Sequence, residues 1–134
     1  MDSDEIMLTV RITVADRALL RQLAQGHRSD VSEVVADGLL DVLPTLCSPD
    51  AAFRLLAVLT EPAPCGLTVW LPAPLADLLV PAAARVALTT GVRLGCGSAM
   101  LGGALRLWLA QDPSLLADHL RVMHAGRPSA LLAA

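Results

Sequence analysis

The segment LTVRITV at residues 8–14 returns as LTVWLPA at residues 67–73. The start-to-start offset is 67 − 8 = 59 residues, and two units of about that length account for nearly all of the 134 residues. Such a repeat constrains the fold more than any single residue does, because each copy is a supersecondary unit that must bury its apolar face against a neighbour. Similar helical patterns and turns follow each copy. The chain therefore reads as one strand-helix-helix-helix unit written twice, with units at 1–61 and 62–134.

In the first unit Leu8, Val10 and Ile12 alternate with Thr9, Arg11 and Thr13, the period of a half-buried strand. Thr13 and Asp16 have the spacing of a capping box. They open a helix over about 14–25 with Leu19, Leu20, Leu23 and Ala24 inward. Gln25-Gly26-His27 ends it. Asp30 and Glu33 offer a second capping box, and Val31, Val34, Val35, Leu39 and Val42 form an apolar stripe to about Leu43. Glu33, Asp37 and Asp41 stand on what reads as the solvated side of that helix, a like-charge series unfavourable to phosphate. Ser48-Pro49 caps a third helix ending near Leu59, and EPAPCG is a stiff linker.

The second unit keeps Leu67, Val69 and Leu71 as the inward strand residues but puts Thr68, Trp70 and Pro72 on the outward row. Leu78, Leu79 and Ala83 match Leu19, Leu20 and Ala24 at the offset of 59. Pro81 falls inside the helical pattern and predicts a kink or break. The longer segment TTGVRLGCG moves the offset of the next helix to 66, where Ser98, Leu105 and Leu109 repeat Ser32, Leu39 and Leu43. Asp112-Pro113 starts a terminal helix, and the tail SALLAA is expected to fray.

The strand, the helix, the glycine-containing turn and RSDVSEVVADGLLDVL together resemble the ribbon-helix-helix family of Arc, MetJ and CopG-type repressors and of many antitoxins. The resemblance covers about residues 7–43 and is densest from Ser29 to Leu40. Residues 66–109 share it only through the repeat. It implies a mainly helical fold with a short β-ribbon, built as two tandem ribbon-helix-helix-like units, each with an extra C-terminal helix. It also implies that two antiparallel strands enter the major groove of double-stranded DNA. Thr9, Arg11 and Thr13 would read bases, the Arg11 guanidinium forking onto guanine. Arg28 and the backbone amides at Ser29, Asp30 and Val31 would hold a phosphate at a helix start. Trp70 and Pro72 supply no comparable readers, and Trp70 is expected to pack in an interface with Val69 and Leu71. The two strands could pair within one chain or between like strands of two chains.

Composition limits the other function classes. Apolar residues make up 54% and charged residues 17%, which points to shared surface in a homo-oligomer. All ten basic residues are Arg, a bias that suits a GC-rich bacterial genome. Residues 1–66 hold five Arg against ten acids, 5 − 10 = −5, and residues 67–134 hold five against three, 5 − 3 = +2. Neither half is polybasic, so any DNA contact must be local. The acidic start MDSDEIML has no secretory pattern, and the uncharged run from Pro62 to Ala76 carries four prolines, so a cytoplasmic protein without a spanning helix is expected. Cys47, Cys65 and Cys96 have no zinc-ligand spacing with His27, His119 or His124, and read as structural thiols. Gly95, Gly97, Gly102 and Gly103 fit turns and close helix packing, and the chain has no Lys for a Walker loop. No nucleophile set carries a supporting motif, and the carboxylates read as solvated. The expectation is a non-enzymatic, sequence-specific DNA-binding regulator that needs no metal or cofactor. A protein-interaction or assembly module derived from the duplication, or an antitoxin-like repressor with a protein partner, is the other reading.

Overall fold

Alternation at residues 8–13 and 67–71 produces two strands, and they pair with each other inside one chain. The structure is a computed structural model that describes residues 4–94 and 97–126. Strand β1 spans Glu5–Ile12 and β2 spans Cys65–Pro72. They run antiparallel, with Met7 opposite Trp70, Thr9 opposite Thr68 and Arg11 opposite Gly66. Of the two pairings open from sequence, the structure has the intrachain one. β1 starts three residues before Leu8, because the Glu5–Met7 backbone still has β2 residues to pair with. It stops at Ile12, because Thr13 turns the chain into α1 (Val14–Gly26). The Thr13 hydroxyl accepts from the Asp16 amide at 3.0 Å, and the Asp16 carboxylate takes the Thr13 amide at 3.3 Å.

α2 covers Val31–Val42, followed by a 3-10 turn over Leu43–Cys47 and by α3 at Pro49–Leu59, capped by Ser48. In the second half the expected break is present. α4 (Ala73–Asp77) and α5 (Leu79–Thr90) are separated at Leu78, where Pro81 has no amide hydrogen to continue the ladder. Gly91 ends α5 with a left-handed φ of 80°. α6 follows at Gly97–Leu109 and α7 at Pro113–Gly126. The left-handed residue in the α1–α2 turn is Arg28, at φ 54°, and not Gly26. The expectations for Gly95, Cys96, the His124 side chain and the tail at 129–134 lie outside the described residues.

Both halves feed one core. Val10 and Ile12 from β1, Val69 and Leu71 from β2, and the α2 stripe pack around α6, whose Met100, Leu101, Leu105 and Trp108 are fully buried. Glycines let α6 approach its neighbours. A Cβ on Gly38 would lie 2.7 Å from the Trp108 ring, one on Gly103 2.9 Å from Leu55, and one on Gly102 3.7 Å from Val10.

The acidic face of α2 is not the solvated side it reads as in sequence. Asp37 is buried at 1% exposure. Asp41 Oδ2 accepts from Trp108 Nε1 at 2.9 Å and lies 2.8 Å from His119 Nδ1. α6 and α7 supply both partners of Asp41, Asp37 lies towards the ribbon beside Trp70 and Pro72, and Glu33 is left as the exposed acid of this face. Arg106 is also buried, its guanidinium 3.3 Å from the Glu61 carbonyl, 3.7 Å from the Glu61 carboxylate and 4.0 Å from Asp16. Residues 73–90 have the length and mean hydropathy of a membrane-crossing segment, 1.2 over 18 residues, although Leu78 divides their backbone into two helices.

Candidate nucleic-acid interface

One face of the ribbon is closed by the core, and the other is open. Strand alternation puts Glu5, Met7, Thr9 and Arg11 of β1 and Gly66, Thr68, Trp70 and Pro72 of β2 on the open face. At its centre the Thr9 and Thr68 hydroxyls are hydrogen-bonded at 3.1 Å. Each hydroxyl keeps capacity for a further partner.

Arg11 is exposed and stands over Gly66, its Nη1 3.5 Å from where a Cβ on that glycine would be. The missing side chain gives the guanidinium room to lie across the ribbon or extend from it. Of the three residues expected to read bases, the structure brings Thr9 and Arg11 together on this face. Thr13 is placed elsewhere: it is half-buried beyond the strand end with its hydroxyl in the α1 cap.

The expected phosphate cradle is altered by its own backbone. Ser29 N donates to the Ala24 carbonyl at 3.0 Å and Arg28 N to the Gln25 carbonyl at 3.3 Å. Asp30 N donates to Glu33 Oε1 at 3.1 Å, and Asp30 Oδ1 accepts from Glu33 N at 2.8 Å. Of the three amides expected to hold an anion, Val31 alone remains, at a helix start already occupied by two carboxylates. Ser32 ties that start to the ribbon by accepting from the Trp70 amide at 3.1 Å.

The expected interface triplet separates. Val69 and Leu71 are fully buried under the ribbon, whereas Trp70, on the opposite parity, is 50% exposed. Its cross-strand neighbour Met7 is 54% exposed, so the two make an apolar patch on the open face. A groove beside it is lined by Glu5, Asp30, Glu33 and Asp37. The groove along the other ribbon edge is lined by Thr9, Arg11, Ser98 and Gly102, with Glu61 and Arg106 at its side.

Met7, Gly66 and Thr68 complete the face but were not among the expected site residues. Thr68 was legible as an outward residue, whereas Met7 and Gly66 gain their place only from the pairing register. Among the described residues no three His, Cys, Asp or Glu side chains converge as metal ligands. Cys47 and Cys65 are free thiols, and Cys47 is exposed. No family model, curated protein or solved structure matches the chain.

Proposed function

We propose that the protein is a small DNA-binding regulator of the repressor kind, whose β-ribbon enters the major groove of double-stranded DNA. The observation that carries this reading is the open ribbon face on which Arg11 stands beside the hydrogen-bonded Thr9–Thr68 pair. A major groove about 12 Å wide admits a two-stranded ribbon, Arg pairs with guanine O6 and N7, and Thr can bond a base edge or touch a thymine methyl. The chain is read as a tandem duplication of a ribbon-helix-helix-like unit in which one chain supplies both strands. It would act in the cytoplasm without a cofactor, and its low charge together with exposed Val80 and Leu88 on α5 favours self-association. Retention on duplex DNA across a salt series tests the reading: phosphate binding must weaken steeply as salt rises. Salt-insensitive or absent retention contradicts it.

A second reading has its own observation. The exposed Met7–Trp70 patch is bordered by Glu5, Asp30 and Glu33, an arrangement that suits a protein partner with an apolar anchor and a basic rim. Binding to protein in place of DNA would leave Arg11→Ala with little effect and Trp70→Ala with a large one.

A further inference from the structure

The two ends of the ribbon face are related by geometry but not by chemistry. In an antiparallel ribbon a local two-fold axis passes between directly opposed residues. Here the axis between Thr9 and Thr68 exchanges Arg11 with Trp70 and Gly66 with Met7. One end therefore carries a guanidinium over a glycine, and the other an exposed indole over a thioether.

We infer that the stretch of duplex read by one ribbon is non-palindromic, with a G·C pair under Arg11 and A·T pairs under the Met7–Trp70 end. This inference rests on the DNA reading of the same face. The Arg11 end offers two cationic donors in a fork suited to guanine O6 and N7. The Met7–Trp70 end offers apolar surface, which suits thymine methyl groups and gains nothing from a guanine edge. The surroundings add a second asymmetry. Glu5, Asp30 and Glu33 lie beside Trp70, against Glu61 alone at the side of the Arg11 groove, so phosphate is disfavoured more strongly at the Trp70 end. Two identical strands from two chains would present matching ends and ask for a symmetric operator. A single chain is free of that requirement.

Selection from a randomised double-stranded DNA library with the intact chain tests the inference. The expected half-site, whether found alone or repeated, is not self-complementary, with guanine near one end and A·T pairs near the other. Arg11→Ala is expected to weaken binding about tenfold or more and to erase the guanine preference while keeping the A·T preference. Trp70→Arg puts a guanidinium at the position exchanged with Arg11, and is expected to move the motif towards a self-complementary one. Both side chains are exposed, so far-UV circular dichroism should match the parent. A self-complementary half-site under a single ribbon of the parent chain, or an unchanged half-site from Trp70→Arg, overturns the asymmetry while leaving DNA binding standing. Failure of the parent to enrich any sequence removes the DNA reading together with the inference.

Discussion

Thr9 and Thr68 face each other across the centre of the ribbon with their hydroxyls 3.1 Å apart, and their separation of 59 residues equals the offset of the sequence repeat. The axis of the strand pairing and the offset of the repeat thus meet at one residue pair. The ribbon's inward row, Val10, Ile12, Val69 and Leu71, closes over α6.

The crossing of α2 over α6 depends on a missing side chain at Gly38. A Cβ there would stand 2.7 Å from the Trp108 ring, closer than van der Waals contact allows, and the indole is fully buried and cannot swing away. Gly38→Ala is expected to destabilise the fold by about 1–3 kcal/mol in chemical denaturation. Gly26→Ala, where nothing lies within 4 Å, is the matched control. It should be neutral or stabilising by up to about 1 kcal/mol.

Asp41 joins three helices by accepting from Trp108 of α6 and contacting His119 of α7. Asp41→Ala leaves the buried indole N–H without its acceptor and is expected to cost about 1–3 kcal/mol. Once Asp41 is gone, His119→Ala should add little, so a double-mutant cycle should return a clear coupling. Additive costs would contradict a shared carboxylate.

Thr13 belongs to the cap of α1 and not to the reading face. Thr13→Ala should lower stability by about 1 kcal/mol through loss of the cap. Measured under conditions where the variant is fully folded, its affinity for duplex DNA should equal the parent's, whereas Thr9→Ala should reduce it.

Arg28 holds a left-handed backbone at φ 54°, a region that a glycine adopts without cost. Arg28→Gly is therefore expected to raise stability, by up to about 1 kcal/mol if strain relief outweighs the extra freedom gained by the unfolded chain. A fall in stability would show that the Arg28 side chain holds the turn.

Most of the fold was legible because its signals are local. The alternation at Leu8, Val10 and Ile12, the Thr13 and Asp30 caps, the Ser48-Pro49 start and the break imposed by Pro81 all act within a few residues. What was misread depends on distant neighbours. Asp37 and Asp41 look solvated on α2 in isolation, yet in the packed chain Asp37 is buried and Asp41 is bonded by α6 and α7. Thr13 carried two readings, cap and base contact, and its hydroxyl is engaged in the cap. The Asp30–Glu33 box was read correctly as a helix start, yet the same bonds take up the Asp30 and Glu33 amides. The composition of the open face depended on register, which the sequence of either strand alone does not contain.

The most direct test of a ribbon made by one chain is a disulfide across its centre. Directly opposed residues of an antiparallel pair have Cα atoms about 4.5–5.5 Å apart, within the span a disulfide bridges. In a chain whose Cys47, Cys65 and Cys96 are replaced by Ser, Thr9→Cys with Thr68→Cys should oxidise to a monomer that has lost both free thiols and runs faster on a non-reducing gel. Covalent dimers formed by either single variant, Cys at 9 with Cys at 9 or Cys at 68 with Cys at 68, in place of the closed monomer would mean that like strands pair between chains, and would contradict the account.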